Sequence, residues 1–253
     1  MMTRRSLRLT AGALSALFLY GCSLPLVSER EIVIEADDQF EQMRAEMPIS
    51  NDVEVRSYIV CVATKIVATL QPPYSELDWD IEIFDDDMIN AFAMPGGKIG
   101  VFTGILKAAK NQDQLGAVLG HEVAHVTERH SVERANRTMT TQIGAVAADI
   151  ALGSGDIVQT GAQLGILLPY GRGQESEADT VGLDYMADAG FDPRASVQLW
   201  KNMAEENKGA PPEFLSTHPS SDSRISDLVH QLPASLIRYN AAKEAGKNPE
   251  CGP

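Results

Sequence analysis

Basic residues are scarce in this chain. Against 35 aspartates and glutamates stand 21 lysines and arginines, a formal net charge of −14 at pH 7 over 253 residues. Such a surface repels phosphate backbones, so nucleic acid is excluded as an expected partner. Long apolar runs are missing too. Leu9 to Tyr20 gives about twelve apolar positions, and the apolar stretch 143–168 is interrupted by Asp149, Asp156, Gln159, Gln163 and several glycines. Neither reaches the roughly eighteen to twenty residues that a membrane-spanning helix needs, and 143–168 reads instead as a pair of helices packed on the core, with a membrane-surface element as the alternative. The run Asp85-Asp86-Asp87 lacks the glycine and the spacing of a calcium loop, which leaves a solvated turn. Cysteine is rare, at three residues.

With 44% hydrophobic residues, the chain has material for one well-cored domain. Residues 1–21 stand apart from it. Arg4, Arg5 and Arg8 form a basic start, the apolar run follows, and Leu19-Tyr20-Gly21-Cys22 closes it, as in a secretory leader. The closing residues resemble the bacterial lipobox, which implies cleavage before Cys22 and acylation of its thiol. Tyr20 is a bulky occupant for that motif, and plain secretion is the alternative. Ser23, rather than Asp, follows the cysteine, which by resemblance to the usual sorting rule favours the outer membrane. Residues 22–49 then read as an anchor, linker and helix, with Ile32, Val33, Phe40 and Met43 at loosely helical intervals before Pro48.

Setting Cys22 aside leaves Cys61 and Cys251, an even number in an oxidising compartment. Two readings stay open. A bridge would staple the polar tail 246–253 to an early helix and contribute on the order of 4 to 5 kcal/mol. Alternatively, Cys61 is a buried apolar residue and Cys251 a frayed thiol.

Residues 50–245 form the domain. Asn51 and Glu54 have the spacing of a capping box, and Val55, Ile59, Val62, Ile66 and Leu70 mark a buried helix face ended by Pro72-Pro73. Trp79, Ile81 and Ile83 alternate with Asp80 and Glu82, a strand with one wet face. Ile89 to Met94 and Lys98 to Phe102 are two strands about Pro95-Gly96-Gly97. The exposed edge at Asn90, Ala91, Phe92 and Ala93 is suited to pairing with an extended substrate backbone. Gln174 to Ala189 is a helix closed by Gly190, and Asp192-Pro193 opens another with Leu199, Trp200 and Met203 inward. A Ser221-capped helix bearing Ile225 and Leu228 and a last short helix complete an α+β domain, mostly helical, with a small mixed β-sheet.

The chemistry sits at Gly120-His121-Glu122-Val123-Ala124-His125. Leu115, Val118, Leu119, Val123 and Val126 recur at three- and four-residue intervals, and Asp113 stands where an N-cap is expected, so this segment is a helix. His121 and His125 are one turn apart, and their imidazoles share a side, as two nitrogens converging on one ion require. A histidine pair alone is commonly a surface feature. Glu122 changes that reading, because a carboxylate beside a metal-held water is what peptide hydrolysis asks of a general base.

A third protein ligand must come from elsewhere. Glu128 and Ser131 stand where a downstream glycine and histidine would be, and Gly144 and Ala145 where a glutamate about nineteen residues on would be. What remains is Glu175-Ser176-Glu177-Ala178-Asp179. There Glu175 and Asp179 lie one turn apart and Glu177 points elsewhere. Taken alone, this segment is equally an acidic helix start favoured by the dipole.

INAFAMPGGKIGVFTGIL, GHEVAHVTERH, ESEAD and STHPSSDSRI, in this order, resemble the gluzincin family of metalloendopeptidases that includes HtpX, LoiP and BepA. The likeness covers about residues 50 to 230, and the leader together with the short middle region looks most like the LoiP-type outer-membrane lipoprotein branch. The resemblance implies a zincin-like fold with the sheet beside the helix of His121. It implies one Zn²⁺ held by His121, His125 and Glu175, with Glu122 as base and Asp179 as the orienting carboxylate. His218 is a candidate oxyanion donor or a gating ligand, with Arg172 and Tyr170 as weaker donors. His130 reads as structural and His230 as a surface residue. The expected function is endoproteolysis of misfolded or unassembled envelope proteins, at the periplasmic side of the bacterial outer membrane, from a lipid anchor. A chaperone-like assembly lipoprotein with little proteolysis is the competing class.

Overall fold

The computed structural model describes residues 26–152, 169–206, 213–218 and 222–252. The expected leader with Cys22, the second half of the expected helix pair in 143–168 and the expected cap Ser221 lie outside the described residues. The fold is α+β and zincin-like, organised on helix α3 (Gln112–Thr127). Leu115, Leu119 and Val123 of α3 are fully enclosed, each burial stabilising by about 1.5 to 3 kcal/mol. The N-cap is Asn111 rather than Asp113, and its side chain accepts from Gln114 N at 2.9 Å. Asp113 is occupied otherwise. Its carboxylate accepts from Asp192 N at 3.1 Å, tying the start of α3 to the turn before α6 (Ala195–Glu206).

Helix α2 (Val53–Val67) packs beside α3 and is likewise capped one residue away from the expected position: Asp52, not Asn51, accepts from Glu54 N and Val55 N. Three strands, β1 (Asp80–Phe84), β2 (Ala91–Met94) and β3 (Lys98–Phe102), form a mixed sheet ordered β1-β3-β2. β1 runs parallel to β3 and β2 antiparallel to it, so β2 is an edge strand. Ile83, Ala91, Ala93, Ile99 and Val101 face the core shared with α2 and α3. On the other face, Phe84 and Phe92 pack edge-on against Phe40 of helix α1 (Glu29–Glu46).

This second face is not wet, contrary to the alternation in β1. Glu82 is buried there, with Arg44 Nε of α1 at 3.1 Å and Arg56 Nη1 of α2 at 2.9 Å from its carboxylate. The segment before residue 50 is therefore part of the folded body. Val27 N also donates to Asn136 Oδ1 of α4 (His130–Leu152) at 3.0 Å.

Helices α5 (Arg172–Ala189), α7 (Glu213–Thr217) and α8 (Asp222–Glu244) complete the α-helices among the described residues. α8 is one helix of 23 residues with Pro233 inside it, where two shorter helices were expected. The polar tail is also tied down. Cys61 and Cys251 are joined by a disulfide with 5.5 Å between their Cα atoms, so of the two readings of this pair the bridge holds. Gln112 at the start of α3 donates to Pro249 O at 2.8 Å and accepts from Cys251 N at 2.9 Å. No helix among the described residues is long and apolar enough to cross a membrane.

Candidate metal centre

The site exists because α3 and α5 cross in backbone contact. At the crossing stand Gly120 and Gly182: a Cβ on Gly120 would lie 2.7 Å from Gly182 O, and one on Gly182 would lie 2.7 Å from His121 N. Only two residues without side chains allow that approach. It brings Glu175 and Asp179, on the first half of α5, against the two histidines of α3.

Four buried groups then converge: His121, His125, Glu175 and His218 each offer a ligand atom, all within 4.8 Å of one another. His121 Nε2 lies 3.1 Å from His125 Nε2, and Glu175 places Oε2 at 3.5 Å from the former and Oε1 at 3.5 Å from the latter. His218 Nδ1 is 3.2 Å from His121 Nε2 and 3.1 Å from Glu175 Oε1. A tetrahedral ion with bonds of about 2.0 to 2.1 Å has edges of about 3.3 Å between its donors. The observed spacings bracket that edge, and three imidazoles with one carboxylate suit a borderline divalent ion. The residues present fit a metal.

His218 reaches the cluster from α7. Phe214 N of α7 donates to Ile89 O beside the edge strand at 3.2 Å, His218 N donates to Phe214 O at 2.8 Å, and the Phe214 ring stacks on the His218 ring. Asp179 sits behind His121, with Oδ1 at 3.1 Å from His121 Nδ1, the place of a carboxylate that orients a histidine. Arg224 of α8 joins them. Its Nε is 2.6 Å from Asp179 Oδ2, its Nη1 2.7 Å from Glu175 Oε2, and its guanidinium lies 3.7 Å above the Trp200 ring.

The model of peptidase family M48 matches residues 54–232, most of the chain and the whole of this site. The chain belongs to peptidase family M48. It is similar to the mitochondrial metalloendopeptidase OMA1 of Schizosaccharomyces pombe, 40% identical over 185 residues covering 72% of this chain and 54% of that one. It is similar also to the beta-barrel assembly-enhancing protease of Yersinia pestis, 32% identical over 205 residues covering 76% of this chain and 42% of the relative. A third relative, the mitochondrial metalloendopeptidase OMA1 of Bos taurus, is 38% identical over 180 residues covering 65% and 34%. The chain thus spans about half the length of these relatives or less.

Charge in this M48 site is set by burial and by close partners. Burial works against ionising Glu175, but hydrogen bonds with His121, His125 and His218 outweigh it and hold the carboxyl well below the usual range. Burial also opposes protonation of His121, yet Asp179 and Glu175 lift its imidazole to about 9. At His125 burial prevails and its pKa falls well below the ordinary value. Asp179 stays low because Arg224 and His121 overcome its burial. Glu122 goes the other way. Burial raises its pKa against the pull of His218, His121 and the Ala93 backbone, and its Oε1 makes no hydrogen bond, with His218 Nε2 3.4 Å away.

The edge strand lies alongside. Phe102 N donates to Asn90 O across the β2–β3 pair, so by antiparallel alternation the peptide groups of Ala91 and Ala93 point away from β3, but the edge is not exposed as expected: Ala91 and Ala93 are buried, and the Ala93 backbone bonds to Glu122. Of the weaker candidates, Arg172 is exposed on the first turn of α5, outside the cluster. Tyr170 instead lays its ring on His125 at 3.7 Å, under the guanidinium of Arg134, with its hydroxyl 3.2 Å from Ser131 Oγ. His230 is exposed. His130 is buried, and its Nδ1 lies 2.8 Å from Nδ1 of His125.

Two residues escaped the sequence reading. Arg224 lies in the motif around STHPSSDSRI, but nothing in its spacing announces a partner on another helix. Glu177 faces His130, not solvent alone, with Oε2 at 3.2 Å from His130 Nε2.

Proposed function

We propose that this M48 chain is a zinc-dependent metalloendopeptidase in which His121, His125 and Glu175 hold the ion and Glu122 is the general base. The observation that carries the reading is the convergence of four buried donors, with closest contacts of 3.1 to 3.5 Å near the edge length of a tetrahedral ion, beside the buried carboxylate of Glu122. Bound zinc supplies Lewis acidity, lowering the pKa of a water and polarising a carbonyl. Glu122 takes the proton of the attacking water and delivers it to the leaving amine. Because Ala91 and Ala93 are buried, an extended substrate backbone could pair with their outward peptide groups, alongside Glu122, only after this edge is uncovered.

His218 acts as the gate. Its Nδ1 lies against His121 Nε2 and Glu175 Oε1, so it would fill the place that a catalytic zinc site keeps open for water. With a metal held by His121, His125 and Glu175, His218 would have to move aside before a water could enter. Once displaced, its imidazole becomes available as a donor to the developing oxyanion.

The substrates on this reading are misfolded or unassembled envelope proteins, and the chain is of the LoiP-type lipoprotein branch, held by acylated Cys22 at the periplasmic side of the outer membrane. The leader and lipobox support this, as does similarity to a relative named for beta-barrel assembly. The experiment compares Glu122→Gln with the parent, on an unfolded protein in vitro and in rescue of an envelope-assembly defect. The substitution should keep zinc and abolish cleavage, a loss of about 10²- to 10⁴-fold, and should fail to rescue. Full rescue by the zinc-loaded variant would mean a chaperone.

A further inference from the structure

His130 has no part in the chemistry described so far, yet it is built into the site from every side. Its Nδ1 faces Nδ1 of His125 at 2.8 Å and its Nε2 faces Glu177 Oε2 at 3.2 Å. It opens α4 directly after Arg129, the one non-glycine residue with a left-handed backbone (φ 59°) among those described. A side chain there is sterically disfavoured. The turn that Arg129 makes folds α4 back so that His130 meets the ring of His125. Gln174, beside Glu175, fixes the same turn by donating to His130 O at 3.3 Å and to Glu133 Oε2 at 2.7 Å.

Two imidazole nitrogens at 2.8 Å need one proton between them. His125 turns Nε2 into the donor cluster, 3.1 Å from His121 Nε2. An ion needs the lone pair of that nitrogen, so the proton of neutral His125 sits on Nδ1 and is donated to His130. His130 then accepts at Nδ1 and carries its own proton on Nε2. That proton points at the carboxylate of Glu177, whose side chain is 56% exposed. Each tautomer is fixed by the next partner, and the series ends on an exposed carboxylate.

On the reading of the cluster as a zinc site, we propose that His130 and Glu177 are positioning residues that hold His125 in the tautomer and ring orientation ligation requires. The pair takes the place that a single carboxylate, Asp179, takes behind His121. A packing role for His130 would make no demand on which nitrogen holds the proton, and none on Glu177.

The test uses the full chain carrying Glu122→Gln, which prevents self-cleavage. Competition for zinc against a chromophoric chelator should show affinity falling about 10- to 100-fold in His130→Ala. His130→Asn, which restores an acceptor, should recover part of the loss. Glu177→Ala, at an exposed position that leaves the fold intact, should weaken binding several-fold. Proton–nitrogen correlation spectra of the zinc-loaded chain should place protons on His125 Nδ1 and His130 Nε2. Zinc affinity unchanged in both His130→Ala and Glu177→Ala, or a proton on His130 Nδ1, overturns the proposal while the metal site stands. A chain with intact His130 that binds no zinc overturns the metal site, and this role with it.

Discussion

Arg224 Nε lies 2.6 Å from Asp179 Oδ2, and both side chains are buried. The same guanidinium reaches Glu175, so one cation holds two carboxylates that would otherwise repel each other out of water. Removing one partner of a buried pair leaves uncompensated charge and costs about 3 to 5 kcal/mol. Arg224→Ala is therefore expected to lower unfolding stability by that amount in urea titration. Arg224→Lys should recover only part, since a point charge cannot span both carboxylates.

The approach of α3 to α5 rests on Gly182. A methyl there would lie 2.7 Å from His121 N and force the helices apart, an overpacking cost of about 1 to 3 kcal/mol. Gly182→Ala should show that loss together with weaker zinc binding. Gly173→Ala, on the same helix with nothing within 4 Å of the added atom, should show neither. Equal behaviour of the two variants would remove the crossing from the account.

Gating by His218 predicts a gain of function. His218→Ala clears the place for water, so turnover of a short, unstructured peptide should rise above the parent's. A fall would mean that its service to the oxyanion outweighs gating, and no change would remove both roles.

Much of this was legible beforehand. The apolar spacing of α3, the strands about Pro95-Gly96-Gly97 and the stop at Gly190 are local signals, and each marks its element in the structure. What the sequence concealed lies between elements. Glu82 reads as solvated because alternation cannot reveal α1 lying above it, with Arg44 reaching down. The caps at Asn111 and Asp52 fall one or two residues from their expected positions because neighbouring polar residues compete, and Asp113 is drawn off by Asp192. The meetings of Arg224 with Asp179, and of His130 with Glu177, span 45 and 47 residues. No periodicity encodes such pairs.

Tyr58 offers a test remote from the metal. Its hydroxyl is buried without a hydrogen-bond partner, and burial pushes its pKa up to about 12. The folded value lies above the ordinary one of about 10. The unfolded chain therefore loses this proton first as pH rises, and the stability linked to it declines from about pH 10 toward 12. Urea midpoints should show Tyr58→Phe no less stable than the parent at pH 7, where an unpaired hydroxyl is no asset. At pH 10.5 the variant should be the more stable of the two. A variant that loses stability by the same amount as the parent on going from pH 7 to 10.5 would refute the assignment.

The central claim is that His121, His125 and Glu175 together hold a metal. The most direct measurement is the metal content of the zinc-saturated, gel-filtered chain by mass spectrometry, for the parent and for Glu175→Ala. The account predicts about one zinc per parent chain and almost none in the variant. A parent without zinc, or a Glu175→Ala chain that keeps its full complement, would contradict it.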